Sequence, residues 1–228
     1  MTGPRLVVFD VDGTLIDSQR IILASMAEAF AGAGHPMPPE AEVLAIVGLS
    51  LPEAMAALAP HLPAADKAAL VEGYRGGFVA RRAAGGAEAH APLYPGARAA
   101  LERVAARSGT LLGVATGKAR PGLDHVLRSH DLGGFFATTQ TADAHPSKPH
   151  PSMLRAALAE TGALPARGVM IGDTEFDVAM GRAAGFATIG VDWGYHPRGR
   201  LEAAGADMVI DSFDALDAAL DALAGSAP

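Results

Sequence analysis

The chain has 228 residues, of which 50% are hydrophobic and 5% aromatic, and its formal net charge is −7. This length predicts one large domain or a core domain with a smaller companion. The negative charge, without a run of basic residues to offset it, argues against nucleic-acid binding. Because cysteine is absent, disulfides, thiolate metal sites and thiol nucleophiles are excluded. No apolar run reaches the roughly 18–20 residues that cross a bilayer, so we predict no membrane partner and expect a cytoplasmic protein.

Short apolar runs separated by helical patterns determine the predicted fold. The first run, residues 6–9, has the pattern of a strand that is covered on both faces. Further runs follow at residues 111–115, 169–171, 187–191 and 208–210. Helical stripes lie between them, and this alternation is typical of a parallel sheet with helices on both faces. The sequence therefore predicts an α/β fold with a Rossmann-like core.

The segment between the first two predicted strands is almost wholly helical in character, from about residue 18 to residue 90. Leu70, Tyr74 and Phe78 repeat at a spacing typical of one helix face. Such an insert, with a connection on each side, predicts a helical cap over the end of the sheet where open α/β folds bind ligands. We expect a core of residues 1–17 and 91–228, a cap of residues 18–90, and hinges near residues 17–18 and within 83–92.

The first predicted strand leads directly into two acidic residues, Asp10 and Asp12, followed by Gly13 and Thr14. Two carboxylates concentrated at one buried place require a metal, a proton or a cation. Gly13 lets the backbone turn sharply and direct its N–H groups toward the same place. This segment alone is equally compatible with an ordinary turn that aspartates cap.

Later strand ends and loops carry further polar groups. Thr116 and Gly117 follow the second apolar run, Lys148 lies in a proline-flanked loop, and Asp173 follows another strand, with Asp177 in the next helical turn. Taken singly, these residues are equally typical of turns, helix caps and solvated surface. Because the carboxyl ends of parallel strands share one edge of a sheet, we expect them to converge with the two acids of the first strand.

The converging groups have the chemistry of a phosphate site. Carboxylate oxygens of Asp10 and Asp173, completed by water and substrate, suit the octahedral shell of Mg²⁺. Lys148 offsets the remaining carboxylate charge and that of a bound anion. The groups suited to phosphoryl oxygens are the Thr116 hydroxyl and the backbone N–H groups of Val11, Asp12 and Gly117.

With these motifs in order, the chain resembles the haloacid dehalogenase superfamily, in its phosphatase branch with a helical cap, and is most similar to phosphoglycolate-phosphatase-like hydrolases. The residues that carry the resemblance span nearly the whole chain: Asp10 to Leu15, Thr116, Lys148, and Gly172 and Asp173 with Asp177. The resemblance implies that Asp10 attacks phosphorus to form an aspartyl phosphate. It also implies that Asp12 protonates the leaving oxygen and then activates water.

The resemblance further implies a set of binding roles. Mg²⁺ is expected at Asp10, the backbone carbonyl of Asp12 and Asp173, with Asp177 supporting these ligands from outside the coordination shell. Thr116 is expected to bind phosphate, and Lys148 to orient both the nucleophile and the phosphate.

The same residues bear on the other activities of the superfamily. Its dehalogenases and its phosphonate-cleaving members lack the carboxylate that Asp12 supplies, so both are disfavoured. A phosphomutase that uses Asp10 and Asp12, or a non-catalytic protein that binds a phosphorylated metabolite, remains an alternative to a phosphatase.

The expected substrate is a small phosphate monoester, and the expected assembly is a monomer or a homodimer. The predicted cap loop that faces the phosphate comprises Gly48, Leu49 and Ser50, and it carries no charge. Arg20, early in the first cap helix, is the nearby candidate for an anionic leaving group.

Overall fold

The computed structural model describes residues 3–85 and 91–225 of the chain. Its core is a six-stranded sheet in which every pair of neighbours is parallel. The strands are β1 (Arg5–Phe9), β2 (Thr110–Thr116), β3 (Phe136–Thr141), β4 (Gly168–Gly172), β5 (Ala187–Val191) and β6 (Met208–Ile210). They lie in the order β3-β2-β1-β4-β5-β6, so β1 is central. The predicted α/β fold class is confirmed.

Helices fill the connections between the strands. Between β1 and β2 the chain forms α1 (Gln19–Gly32), α2 (Glu40–Leu44), α3 (Leu51–Leu58), α4 (Ala64–Gly85) and α5 (Ala97–Ala105). The later helices are α6 (Arg120–Ser129), α7 (Ser152–Thr161), α8 (Glu175–Ala183), α9 (Arg198–Ala203) and α10 (Leu216–Gly225). Within the described ranges, no helix combines the length and the apolar character needed to traverse a bilayer.

The alternation of side chains along β1 builds a hydrophobic core on each face of the sheet. Val7 and Phe9 pack in a cluster with residues of α5, α6 and α10. Leu6 and Val8 point to the opposite face and pack in a second cluster with residues of α7 and α8. Both faces of β1 are therefore covered, which explains why its sequence is continuously apolar.

Strand β3 was not predicted from the sequence. Its residues, Phe-Ala-Thr-Thr-Gln-Thr, are buried only at Thr138, Gln140 and Thr141. As an edge strand next to β2, it has a largely polar sequence without the continuous apolar run of the central strands.

Helices α1 to α4 form a separate cluster of buried residues, which includes Met26, Phe30, Met55 and Leu70. The two connections to the core run side by side: the Asp17 amide donates to the Pro92 carbonyl (2.8 Å), and the Tyr94 amide donates to the Leu15 carbonyl (2.9 Å). We refer to residues 18–85 as the helical insert. The second predicted hinge includes residues 86–90, which lie outside the described residues.

Candidate active site

The sheet register brings the predicted site residues to one edge. Phe9, the last residue of β1, pairs with Val114 of β2 and with Ile171 of β4. Asp10 and Asp173 therefore follow neighbouring strands at the same level. Both side chains are buried, with 1% and 0% of their surface exposed. Parallel pairing thus concentrates acidic groups at the carboxyl end of the sheet.

Lys148 lies between two of these acids. Its Nζ is 3.0 Å from Asp10 Oδ1 and 2.6 Å from Asp177 Oδ1, and all three side chains are almost completely buried. The other carboxylate oxygen of Asp177 accepts hydrogen bonds from the backbone and hydroxyl of Thr174, in a capping box at the start of α8. Asp177 is thereby fixed in orientation and holds the ammonium group beside Asp10.

Asp173 is held by two donors from distant segments. The Thr14 hydroxyl donates to Oδ1 (2.8 Å), and the Tyr195 backbone N–H donates to Oδ2 (2.9 Å). Gly13 has a φ of +81°, and a Cβ there would lie only 2.2 Å from Asp173 Oδ2. Glycine is therefore required at position 13 both by the backbone conformation and by the close approach of this carboxylate.

The charges at this edge do not balance. Burial, opposed by Lys148 but reinforced by Asp177 and then Asp12, raises the pKa of Asp10 to about 7. Burial, followed by the negative charges of Asp177 and Asp10, raises the pKa of Asp173 well above its usual value. Burial lowers the pKa of the Lys148 ammonium, but the charges of Asp10 and Asp177 raise it by more. The net shift is upward, so this lysine stays charged. The cluster has an excess of negative charge that a cation would relieve.

The donor set suits a hard divalent cation. Oxygens of Asp10, Asp173 and Asp177 lie within 4.8 Å of one another. Both carboxylate oxygens of Asp10 are buried: Lys148 Nζ lies 3.0 Å from Oδ1, and Oδ2 has no hydrogen-bond partner among the described residues. Buried oxygens without donors are free to serve as ligands, and an all-carboxylate set favours Mg²⁺ over softer metals. These residues therefore fit the predicted metal.

Asp12 has a different environment from Asp10. Lys118 Nζ lies 2.6 Å from its Oδ1 and 2.7 Å from its Oδ2, and the Ser18 hydroxyl also donates to Oδ1. Ser18 in turn contacts the Tyr195 hydroxyl, 3.0 Å away. Lys118 also lies over the ring of Phe78 in the helical insert, 5.1 Å from its centroid. Asp12 thus contacts both Lys118, which belongs to the core, and Ser18, which lies where the chain enters the insert.

Four residues of the site were not predicted from the sequence: Lys118, Ser18, Thr14 and Tyr195. The position of Lys118 could have indicated a role, since it lies two residues after Thr116 at the end of a predicted strand. Tyr195 had none, because its contacts with Ser18 and Asp173 join segments far apart in the chain.

The insert loop 48–50 lies directly against the carboxyl end of β2. A Cβ at Gly117 would lie 2.6 Å from the Gly48 carbonyl oxygen, so only glycine permits this approach. The Ser50 amide donates to the Ser147 hydroxyl (2.8 Å), next to Lys148 in sequence. The loop predicted to face the phosphate is therefore close both to Gly117 and to the loop that carries Lys148.

A cavity of about 570 Å³ lies between the insert and this edge of the sheet. Asp10 and Asp12 line it from the core, and Gly48, Leu49 and Ser50 line it from the insert. The remaining predicted residues take different positions: Val11 and Thr116 are buried beside the site, while Arg20 is exposed and is not part of the cavity wall.

A sequence profile of the haloacid dehalogenase-like hydrolase family matches residues 7–191. The chain belongs to this family. The resemblance stated from the motifs is confirmed.

The chain is similar to two curated relatives in sequence and to one solved structure in fold. The chain is 34% identical to the probable phosphatase IndB of Dickeya dadantii, over 96% of this chain and 94% of that protein. It is 31% identical to a plasmid-encoded phosphoglycolate phosphatase of Cupriavidus necator, over 94% and 92% of the two chains. The crystal structure of a predicted phosphatase from Clostridium acetobutylicum has the same fold, with a TM-score of 0.84 and 23% sequence identity. The match covers 97% of this chain and 100% of the other.

Proposed function

We propose that this protein is a Mg²⁺-dependent phosphatase that hydrolyses a phosphate monoester through an aspartyl-phosphate intermediate. The observation that carries the proposal is Asp10. Its carboxylate is buried and lines the cavity; Lys148 Nζ lies 3.0 Å from Oδ1, and Oδ2 has no hydrogen-bond partner among the described residues. A desolvated carboxylate oxygen without a hydrogen-bond donor keeps its lone pairs available for attack. The phosphatase names of relatives that cover nearly the whole chain support the same activity.

Asp10 acts as the nucleophile in this scheme. One of its oxygens forms a bond to phosphorus while the bond between phosphorus and the ester oxygen breaks. Lys148, held by Asp177, keeps the carboxylate oriented and offsets charge on the phosphoryl group. In the second step a water oxygen attacks phosphorus, and the carboxylate of Asp10 is regenerated.

Asp12 moves the protons for both steps. It gives a proton to the departing ester oxygen and afterwards takes one from the attacking water. Its contacts with Lys118 and Ser18 fix the carboxyl group at the cavity wall, two positions after the nucleophile. A group that must exchange protons with substrate needs this access, whereas Asp10 needs only to reach phosphorus.

Asp10, the backbone carbonyl of Asp12 and Asp173 would hold the metal. When bound, Mg²⁺ neutralises the excess carboxylate charge and the charge of the phosphoryl oxygens. Thr14 and the Tyr195 amide orient Asp173 for that role.

The remaining predicted residues bind the phosphate and enclose the leaving group. The Thr116 hydroxyl and the backbone N–H groups of Val11 and Gly117 are suited to phosphoryl oxygens. We propose that residues 18–90 act as a cap whose loop 48–50 covers the leaving group. The contacts of Gly117 with Gly48, and of Ser50 with Ser147, support a closed arrangement of this cap.

The proposal is tested by measuring inorganic phosphate released from a panel of monoesters, with Mg²⁺ and with EDTA. We expect Mg²⁺-dependent release that Asp10→Asn reduces by several orders of magnitude, since an amide cannot form the acyl phosphate. If Asp10→Asn keeps a tenth of the activity, the covalent mechanism is wrong. Interconversion of sugar phosphates without phosphate release would indicate a phosphomutase, and binding without turnover would indicate a non-catalytic protein.

A further inference from the structure

The cavity beside Asp10 is large for a small metabolite. Its volume of about 570 Å³ lies in the range of about 300–1,000 Å³ that is typical of sites enclosing drug-sized ligands. A substrate such as phosphoglycolate, whose two-carbon leaving group includes a carboxylate, would leave much of this space to water. The volume therefore favours a leaving group with more atoms.

The wall that faces the leaving group is mainly apolar. Side chains from α1, the 48–50 loop, α3 and α4 supply it, among them Ile22, Met26, Leu49, Leu51, Tyr74 and Phe78. The rings of Tyr74 and Phe78 lie next to each other, with their centroids 5.7 Å apart. Burial and, to a smaller extent, the charge of Asp12 raise the pKa of the Tyr74 hydroxyl, so this wall also carries no phenolate charge. Removal of apolar surface from water would favour a leaving group that covers this wall.

The cations of the cavity wall are already paired. Lys118 contacts both oxygens of Asp12, and Arg75, at the rim, lies 2.6 Å from Glu72 in an exposed ion pair. The other charged residues in the described wall are acidic: Asp10, Asp12 and Asp143. An anionic leaving group would have to compete with Asp12 for Lys118, so the electrostatics of the wall disfavour it.

We propose that the natural substrate is a phosphate monoester whose leaving group is uncharged, largely apolar and about the size of a phenylalkyl group. This inference rests on the proposed phosphatase function and narrows its substrate class. It replaces the small leaving group expected from the sequence with one that covers the apolar wall supplied by α1, α3 and α4. The phosphate lies at Asp10, and the apolar portion extends along α4.

The first experiment compares kcat/KM for phenethyl phosphate, ethyl phosphate and phosphoglycolate, with Mg²⁺ present. Phenethyl phosphate should exceed ethyl phosphate by at least about tenfold, the discrimination that a hydrophobic pocket achieves with one or more buried carbons. Phosphoglycolate should fall below both. Phosphoglycolate equal to or better than phenethyl phosphate overturns the inference, while phosphate release from any of the three leaves the phosphatase proposal standing.

A binding measurement keeps the inference testable if no turnover occurs. Calorimetry in the presence of Mg²⁺ gives the dissociation constants of three compounds that cannot be hydrolysed: phenylpropylphosphonate, propylphosphonate and phosphonopropionate. Tighter binding of the phenyl compound by about tenfold supports the cavity preference independently of chemistry. Equal binding of all three, or preference for phosphonopropionate, overturns it.

A substitution ties the preference to the cavity wall. Phe78→Leu removes the ring but keeps an apolar side chain, and Phe135→Leu is the matched control, since Phe135 packs on the sheet core outside the cavity. The readout is the ratio of kcat/KM for phenethyl and ethyl phosphate within each variant, which is independent of the fraction folded. Phe78→Leu should lower this ratio about 2- to 10-fold, the range of aromatic contacts. An unchanged ratio, or the same loss in the control, contradicts the inference.

Discussion

Replacing Asp10 with asparagine should stabilise the metal-free protein at neutral pH, although it removes the proposed nucleophile. The Asp10 carboxyl is buried, and its pKa is raised to about 7, chiefly by burial, which the charge of Lys148 only partly offsets. Holding this group ionised at neutral pH therefore costs folding free energy. Lys148 remains paired with Asp177 at 2.6 Å after the substitution, so the change leaves no isolated buried cation.

The magnitude follows from the difference between the folded and unfolded pKa values. An aspartate in an unfolded chain has a pKa of about 3.9. Above that value the unfolded state releases a proton that folded Asp10 retains, so rising pH favours unfolding until the folded pKa is passed. At about 1.4 kcal/mol per pH unit, the cost is about 1–2 kcal/mol at pH 5 and about 4 kcal/mol at pH 8. The asparagine variant has no such cost, because its amide does not ionise.

The assay is urea unfolding of wild type and Asp10→Asn in EDTA, at pH 5 and pH 8. The unpaired amide adds a cost that is the same at both pH values, so the decisive quantity is the change in the stability difference. We expect the variant to gain about 2–3 kcal/mol relative to wild type between pH 5 and pH 8. Adding Mg²⁺ at pH 8 should stabilise wild type more than the variant, because the amide is a poorer ligand.

A matched control is Asp211→Asn, at an exposed aspartate that also follows a strand. Its stability should change by less than about 0.5 kcal/mol at either pH. A stability difference between wild type and Asp10→Asn that does not vary between pH 5 and pH 8 would refute the reasoning from burial.

Three further substitutions test which residues transfer protons, which select the substrate and whether the close approach of the insert loop to the core is needed. Asp12→Ala should slow the phosphorylation step more for an alkyl phosphate than for p-nitrophenyl phosphate, because only the alkyl oxygen needs a proton to leave; equal effects in single-turnover kinetics would remove Asp12 from the acid role. Leu49→Trp should change KM and the ranking of substrates but not the Mg²⁺ affinity, since Leu49 belongs to the insert and the proposed metal ligands belong to the core; an unaltered ranking with weaker Mg²⁺ binding would contradict a separate specificity cap. Gly117→Ala should raise KM at least about tenfold, because its Cβ would meet the Gly48 carbonyl at 2.6 Å; unchanged kinetics would show that this close approach is not needed for turnover.

The core of the fold was predictable because its strands are buried on both faces. Short, continuous apolar runs such as residues 6–9 are typical of strands in the middle of a parallel sheet, and helices between them require parallel pairing. Strand β3 was not predictable by the same rule, since four of its six residues are Thr or Gln and it lies at a sheet edge. Patterns therefore identify the centre of such a sheet more readily than its edge.

The acidic part of the site was predictable for a topological reason, because parallel strands place their carboxyl ends together. The partners of Asp12 were not. Lys118 and Asp12 are 106 positions apart, and their contact depends on the direction of a long, flexible side chain. Which buried carboxylate a lysine joins is determined by rotamers and packing, and these are not encoded in residue spacing.

If Asp10 and Asp12 have the roles proposed above, their contacts explain how the chemistry of the site can stay constant while the leaving group varies. Asp10 interacts with Lys148, and through it with Asp177, all within the sheet core. Asp12 interacts with Ser18 at the start of the insert and with Lys118, which contacts the Phe78 ring. In the proposed mechanism the nucleophile is thus oriented by Lys148 and Asp177, whereas the proton donor is held by groups that also contact the insert. Changes in the insert can then alter both the shape of the leaving-group cavity and the placement of its proton donor without disturbing the nucleophile.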